Sequence, residues 1–367
     1  MTSFSARAAA FVKFWLFSLV IAMALLGPGL ASAEGFRPFD RIVVFGDSLS
    51  DSGNLYALGP LFGLDAPGSP SNNWSMNTPE ELVTLVPGQA YISRRLSNGP
   101  TWAELLGSAL GLSANVRPVF ADPADLRRFN FAVAGATAAN PRNFPAGNPL
   151  HLGGQVDAFL ARAFALNGTG TTADTLYVIA IGGNDVRAVG DFGPQILGDT
   201  LAALEQAIRR LNQVGGKNFL IWNIPDLGAT PAFRRIENGV PLLGVPPSPG
   251  TVEGVRALIA GYNAGLKARL HVLSTAPELD GGLPGTEFIP FDTFGTLTEV
   301  RRHPRRYGLT NVDDACIRIM PFFAAASACA QPDRHLFWDG IHPTRAGHAI
   351  LAFFVGKDLV KALLQDH

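Results

Sequence analysis

The sequence predicts an α/β fold, a three-layer α/β/α sandwich around a central, mainly parallel sheet. Short apolar runs rich in β-branched and aromatic residues alternate with longer segments whose apolar residues recur at helical spacing. Strands that alternate with helices are joined by crossovers, which produce parallel sheets covered on both faces. No internal repeat or change of composition divides the chain, so we expect one domain over residues 34–367.

The predicted strands are short and end at glycine or at a polar turn. They cover residues 42–45, 129–133, 176–181, 219–222 and 288–291, with a weaker strand at 116–120. The predicted helices cover residues 102–110, 152–166, 196–214, 252–273 and 344–364. Ser97 or Asn98 is expected to cap the first helix. Pro290 argues against a central position for the last strand, because proline cannot donate to the ladder.

Two long stretches lack periodicity, residues 56–98 and 303–338. Loops of this length usually form a lid or a wall of a substrate site. The second stretch contains both cysteines of the chain, Cys316 and Cys329. In an oxidising compartment a disulfide between them is favoured over two free thiols. A zinc site is disfavoured, because two thiolates do not fill the metal's coordination shell.

The N-terminal segment has the pattern of an export signal. Arg7 and Lys13 come before an apolar run from Phe14 to Leu26, and Ala31-Ser32-Ala33 is a small-residue cleavage site. The apolar run is shorter than the ~20 residues of a bilayer span. We therefore expect cleavage of residues 1–33 after Ala33, giving a secreted or periplasmic protein without a transmembrane span. An uncleaved membrane anchor is the alternative.

The charge balance argues against a nucleic-acid partner. The chain has 29 basic and 30 acidic side chains, a formal net charge of −1, and its charges are scattered. Proteins that bind nucleic acids usually concentrate positive charge on one face. No dinucleotide-binding or phosphate-binding glycine motif follows a predicted strand, so no cofactor is expected.

Three predicted strands end in small, polar turns. These turns are Gly46-Asp47-Ser48, Ala134-Gly135-Ala136 and Gly182-Gly183-Asn184-Asp185. Because the strands are parallel, the turns share the carboxyl edge of the sheet, where open α/β sheets bind ligands. Ser48 would be placed there as a nucleophile. Free backbone N–H groups and the Asn184 carboxamide could then stabilise negative charge on a carbonyl oxygen.

A serine nucleophile needs a base, and His342 is the best candidate among seven histidines. Asp339 lies three residues before it, near enough to orient the imidazole. Catalytic triads are defined by geometry, so the order Ser48, Asp339, His342 is acceptable. His303 lies in an arginine-rich run typical of a solvated face, and His335 is a weaker alternative. We expect His348 at the surface or in a supporting position behind the site.

Four blocks of the sequence resemble those of the GDSL (SGNH) family of serine esterases and lipases. In chain order they are FGDSLSDSGN (45–54), NFAVAGATA (130–138), GGND (182–185) and DGIHP (339–343). SNGPTW at 97–102 is similar to the branch of secreted lipases, thermolabile haemolysins and lipid acyltransferases. The resemblance implies a flavodoxin-like SGNH hydrolase fold. It also implies hydrolysis of ester or lipid substrates, with transient contact with a lipid interface.

The resemblance also implies a role for each residue. Ser48 would be the nucleophile, His342 the general base and Asp339 the orienting acid. The oxyanion donors would be the Ser48 N–H, the Gly135 N–H and the Asn184 side chain. The same site would serve a lipid acyltransferase or a carbohydrate-ester deacetylase, because a fold does not set its substrate. A secreted binding protein on an inactive hydrolase scaffold is the non-enzymatic alternative.

Simpler explanations are available for several of these residues. Ser48 could be only a helix N-cap, and Gly135 could be a packing glycine. Asp47 and Asp51 could bind a metal, although Asx-type turns explain their positions better. Asp185 is expected to be structural.

Overall fold

A parallel four-stranded sheet forms the centre of the protein. The computed structural model describes residues 38–59, 94–166, 174–237, 250–318 and 327–365. The strands are β1 (Arg41–Gly46), β2 (Thr175–Ala180), β3 (Asn218–Trp222) and β4 (Glu287–Phe291), in the spatial order β1-β2-β3-β4. The register aligns Tyr177, Phe219 and Phe288, whose rings stack across three strands. The expected export signal and most of the first expected loop lie outside the described residues.

Helices follow most of the strands. Those of the described residues are α1 (Asn54–Leu58), α2 (Trp102–Ala109), α3 (Leu152–Ala165), α4 (Gly183–Phe192), α5 (Ile196–Gln213), α6 (Pro231–Glu237), α7 (Thr251–Thr275), α8 (Thr293–Arg302) and α9 (Arg345–Gln365). Four short strands lie outside the central sheet: β5 (Asn311–Ala315), β6 (Ile317–Arg318), β7 (Ser327–Ala328) and β8 (His335–Phe337). The stretch 303–338 was expected to be irregular, and these short strands organise part of it.

The two faces of the sheet support separate hydrophobic cores. On β1, Val43 and Phe45 point into a core with residues of α3, α5 and α7. Ile42 and Val44 point the other way, into a core with residues of α2 and α9. This alternation follows from the two-residue period of a strand. The predicted α/β sandwich with a parallel central sheet is confirmed.

The two edges of the central sheet test the strands predicted at 129–133 and 288–291. The predicted strand at 129–133 forms only isolated bridges, although it runs parallel to β1. The Val44 N–H donates to the Phe129 carbonyl at 2.9 Å, and the Phe131 N–H donates to the Val44 carbonyl at 2.8 Å. On its outer side the Asn54 side chain donates to the carbonyls of residues 130 and 132, and the predicted weaker strand at 116–120 adds only an isolated bridge from Pro118 to Asn130. At the opposite edge of the sheet lies β4, where Pro290 is tolerated because an edge strand has one side without a neighbouring strand to which it must donate.

Helix α2 is not capped as expected. Its N-cap is Thr101, which forms a capping box with Glu104. Ser97 and Asn98 instead contact the segment that begins α9. Within the described ranges, no helix combines the length and apolarity needed to cross a bilayer.

The cysteine prediction is confirmed, because Cys316 and Cys329 form a disulfide. The bond ties β6 to β7, and the Cys329 N–H donates to the Cys316 carbonyl at 2.8 Å. Since the two sulfurs are joined, they do not offer a metal two thiolates.

Candidate active site

A cleft at the carboxyl edge of the sheet brings together residues from three of the four sequence blocks. Ser48 follows β1, Asn184 lies in the first turn of α4, and His342 comes from the segment before α9; all three line the cleft. The remaining wall is largely apolar and includes the ends of β2 and β3 and the loop at 223–227. Parallel strands place their carboxyl ends at one edge, so this convergence follows from the topology.

Asp339 and His342 form a short, buried polar contact at the edge of the cleft. The Asp339 Oδ2 lies 2.7 Å from His342 Nδ1, and both residues are buried, with exposed fractions of 1% and 6%. The other carboxylate oxygen accepts the backbone N–H groups of Ile341 and His342 at 2.8 and 2.7 Å. Burial acts to raise the pKa of Asp339, but the His342 charge and these hydrogen bonds outweigh it and lower the pKa. The carboxylate therefore orients the ring through Nδ1 and leaves Nε2 available.

Backbone contacts fix the turn that carries this pair. The Trp338 N–H donates to the His342 carbonyl at 2.7 Å and closes the turn. The Ile317 N–H donates to the Trp338 carbonyl at 2.8 Å, and the Cys316 N–H donates to the Phe337 carbonyl at 3.0 Å. The disulfide-bonded hairpin therefore lies directly against the strand that leads to Asp339.

Ser48 occupies a tight turn after β1. The Ser50 and Asp51 N–H groups both donate to the Asp47 carbonyl, and the Leu49 N–H donates to the Asp47 carboxylate at 3.1 Å. A side chain at Gly46 would not fit, because a Cβ there would lie 2.8 Å from the Ala180 carbonyl oxygen. Among the described residues the half-buried Ser48 hydroxyl has no hydrogen-bond partner, so a Ser48–His342 bond is not formed here. In enzyme active sites, hydrogen bonds between a serine and a histidine often tighten only when substrate binds.

Asp47 is a buried acid beside the serine. Burial raises its pKa to about 6, against the opposing effects of the Leu49 N–H and of the His342 and Arg187 charges. Its bond to the Leu49 N–H is an Asx-type turn contact. This contact fits the structural explanation of Asp47 better than a metal-binding role.

Asp51 links the first sequence block to the second. Its carboxylate accepts the N–H groups of Gly53, Asn54, Leu55 and Ala134 at 2.6–3.0 Å. Asp51 is buried, and burial raises its pKa. Both oxygens are used by backbone donors, so Asp51 anchors the turn rather than presenting ligands to a metal.

The acid of the third block is structural, as expected. Asp185 is fully buried and accepts the Ala138 and Ala139 N–H groups at 2.8 and 2.9 Å, together with the Thr200 hydroxyl at 2.9 Å. Burial raises its pKa to about 6. Asp185 therefore ties the loop at 135–139 to the start of α4.

Asn184 makes a contact at each end of its carboxamide. Its Nδ2 donates to the Ala136 carbonyl at 2.9 Å, and its Oδ1 accepts from the Arg187 guanidinium at 3.1 Å. Gly135 immediately precedes Ala136 and has φ of +84°, a left-handed conformation that favours glycine. Gly135 is exposed and does not line the cleft, so the structure brings it only next to the Asn184 contact.

The other histidines of the described ranges do not line the cleft. His348 is buried, not at the surface, and its Nδ1 accepts the Trp102 N–H at 3.2 Å. Burial lowers its pKa to about 3, so the neutral ring joins α9 to the start of α2. His303 is exposed beside Glu299, and His335 lies 3.4 Å from the Cys329 sulfur. Neither lines the cleft with Ser48.

Sequence reasoning missed Arg187, which lines the cleft three residues after Asn184. The available signal was its helical spacing: residues three apart share a helix face. Burial lowers its pKa to about 10, with the Asp47 and Asp339 charges acting in the opposite direction. The guanidinium therefore remains charged at neutral pH.

Comparisons with known proteins agree with the order of the sequence blocks. The family model described as GDSL-like Lipase/Acylhydrolase matches residues 42–353. A GDSL esterase/lipase of Arabidopsis thaliana is 26% identical over 354 residues, covering 88% of each chain. A second Arabidopsis GDSL esterase/lipase is 27% identical over 93% of this chain and 90% of its own length.

A bacterial relative matches over a smaller part of its own length. The thermolabile hemolysin of Vibrio parahaemolyticus is 24% identical over 85% of this chain and 62% of the hemolysin. Because the family match extends from β1 into α9, the chain belongs to the GDSL-like lipase/acylhydrolase family and is a carboxylic ester hydrolase.

Proposed function

We propose that this protein is an exported serine esterase that forms an acyl-enzyme on Ser48. The observation that carries the proposal is the buried Asp339–His342 pair, joined at 2.7 Å in the cleft that Ser48 and Asn184 line. The substrates are carboxylic esters, including lipid esters. Export requires removal of residues 1–33 and leaves one hydrolase domain over residues 34–367.

In the first half-reaction, Ser48 Oγ attacks the ester carbonyl carbon while its proton moves to His342 Nε2. The carbonyl oxygen becomes an oxyanion in the tetrahedral intermediate. The carbon–oxygen bond to the alcohol then breaks, and the imidazolium returns the proton to the leaving alcohol. Water repeats the sequence on the acyl-enzyme, with His342 as base, and releases the acid and the free serine.

Asp339 supports this cycle electrostatically. Its carboxylate keeps the Nδ1 proton on the side away from Ser48, so Nε2 is the basic nitrogen. It also stabilises the imidazolium that forms in each half-reaction, without itself becoming protonated. Burial of the pair keeps water from weakening this interaction.

Asn184 is the proposed side-chain donor to the oxyanion. A carboxamide nitrogen carries two hydrogens, and the Ala136 carbonyl accepts one of them. The second is the proposed oxyanion donor, together with the backbone N–H groups of Ser48 and Gly135. Ser48 and Asn184 both line the cleft, which supports their roles as donors, whereas the Gly135 N–H would have to come within reach of the oxyanion.

The decisive experiment compares wild type with Ser48→Ala on p-nitrophenyl acyl esters. We expect turnover to fall by several orders of magnitude, and a fluorophosphonate probe to label wild type only. Ser108→Ala is the matched control, because Ser108 is exposed on α2. Unchanged turnover in Ser48→Ala would disprove the assignment, and an unlabelled, inactive wild type would support the binding-protein alternative.

Two further measurements define the substrate. An acyl series from acetyl to palmitoyl, with and without phospholipid vesicles, tests for interfacial lipid hydrolysis. Product analysis with glycerol as an added acceptor separates hydrolysis from acyl transfer. Free acid as the main product supports the esterase, whereas acyl glycerol as the main product identifies the transferase.

A further inference from the structure

We infer that Arg187 is a positioning residue that holds the Asn184 carboxamide in the orientation that presents an N–H to the oxyanion. The inference rests on the proposed function and concerns the same cleft. Arg187 lies in α4 three residues after Asn184, so both side chains project from one face of the helix.

The two contacts of the carboxamide have opposite polarity. Nδ2 donates to the Ala136 carbonyl at 2.9 Å, whereas Oδ1 accepts from Arg187 Nη1 at 3.1 Å. Rotating the amide by half a turn would place its oxygen against the Ala136 carbonyl and its NH₂ group against the guanidinium. Both of the new contacts would be repulsive. Arg187 therefore contributes one of the two interactions that select this orientation.

The orientation of the Asn184 carboxamide decides whether it attracts or repels the oxyanion. In the observed orientation, the second Nδ2 hydrogen is left for the cleft. In the rotated orientation a carbonyl lone pair would take its place and would repel a negatively charged oxygen. Arg187 therefore acts on the transition state through Asn184, and its effect is expected in kcat.

The surroundings of Arg187 suit this role. The side chain is half-buried in the cleft wall. Among the described residues, no carboxylate lies within ion-pair distance of the guanidinium, and its hydrogen bond to Asn184 is the one the structure shows. The Asp47 and Asp339 charges favour its protonated form from farther away. The guanidinium is therefore charged and directed to the carboxamide.

The test is a double-mutant cycle with a neutral substrate, p-nitrophenyl butyrate. Arg187→Met is expected to lower kcat about 10- to 100-fold, with KM changed less than about threefold. Arg187→Lys should recover part of the loss, because an ammonium group can also donate to Oδ1. In the Asn184→Ala background, Arg187→Met should cost less than about threefold, because the carboxamide is already absent.

Three results would overturn the inference. Equal losses from Arg187→Met in both backgrounds would mean that Arg187 acts independently of Asn184, and a change confined to KM would mean that it contacts substrate directly. Urea midpoints of all variants identify any loss due to unfolding, and Arg187→Gln provides a smaller perturbation if Arg187→Met does not fold. Ser48→Ala is measured in parallel: an active Ser48→Ala refutes the proposed function. An inactive Ser48→Ala beside a fully active Arg187→Met refutes only the role of Arg187.

Discussion

The Asn98 side chain accepts a 2.6 Å hydrogen bond from the backbone N–H of Arg345, which lies 247 residues later at the start of α9. The adjacent Ser97 hydroxyl donates to the Pro343 carbonyl at 2.9 Å. A Cβ on Gly99 would lie 2.7 Å from the Arg345 Cβ, so the two backbones approach closely. The segment at 97–99 therefore holds the chain immediately after His342.

Ser97→Ala is expected to lower the free energy of unfolding by about 1–3 kcal/mol, because Ser97 is buried and its loss leaves the Pro343 carbonyl without that donor. Urea denaturation measures the change. Ser108→Ala is the matched control and should change stability by less than about 0.5 kcal/mol, since Ser108 is exposed. Equal effects of the two substitutions would show that the long-range bond adds nothing to stability.

The positions of Ser48 and Asn184 could be predicted from topology, whereas His342 was identified from Asp339 three residues before it, so two of these three residues depend on the order of the strands. These two follow parallel strands, and parallel strands end at one edge of a sheet. The helical and strand periods also identified the elements that form the two cores. The helical and strand periods are repeated over many residues, so a single unusual residue does not hide them.

Features that depend on one long-range contact could not be predicted. Ser97 and Asn98 have the chemistry of a helix cap, but their partners are 246 and 247 residues away. The correct cap, Thr101, did have a local signal, since Glu104 three residues later completes a capping box. His348 lies on the buried face of α9 with Leu351 and Val355, but no pattern within α9 identifies its hydrogen-bond partner, the Trp102 N–H.

Asp339→Asn is expected to lower kcat by about 10²- to 10⁴-fold, with little change in KM. The amide can present an N–H to His342 Nδ1, which would shift the ring proton to Nε2 and remove the base. Steady-state kinetics on a p-nitrophenyl ester measures the loss. Asp333→Asn is the control, because Asp333 is exposed and pairs with Arg345 outside the cleft. Activity close to wild type in Asp339→Asn would remove Asp339 from the mechanism.

Asp185 is expected to make stability depend on pH. Its pKa is raised from 3.8 to about 6 by burial, despite the Ala138 and Ala139 N–H groups and the Thr200 hydroxyl. Between about pH 4 and pH 6 the folded protein keeps a proton that the unfolded chain releases. The contribution of Asp185 to stability therefore falls as pH rises through this window, by up to about 1.4 kcal/mol per pH unit.

Urea unfolding of wild type and Asp185→Asn at several pH values tests this sign. The free energy of unfolding of wild type minus that of the variant should decrease from about pH 4 to about pH 6 and then level off. A difference that grows with pH would mean that the three donors outweigh burial and that the pKa of Asp185 is lowered.

The Cys316–Cys329 disulfide is expected to stabilise the hairpin that supports Asp339. The cysteines are 13 residues apart, and closing a loop of this length contributes ~3 kcal/mol in the chain-entropy description. The double variant Cys316→Ser, Cys329→Ser should lose about that much stability. The double variant should also lose activity at a lower urea concentration than wild type, because the Ile317 N–H donates to the Trp338 carbonyl, next to Asp339.

A reducing agent provides the matched comparison for the disulfide. It should shift the wild-type urea midpoints for fluorescence and activity towards those of the double variant, and it should leave the variant itself unchanged. If the variant's activity midpoint matched that of oxidised wild type while its global unfolding midpoint fell, the hairpin would stabilise the fold without supporting the Asp339 turn. A parallel fall of both midpoints is the outcome that the hydrogen bonds from residues 316 and 317 to the strand before Asp339 predict.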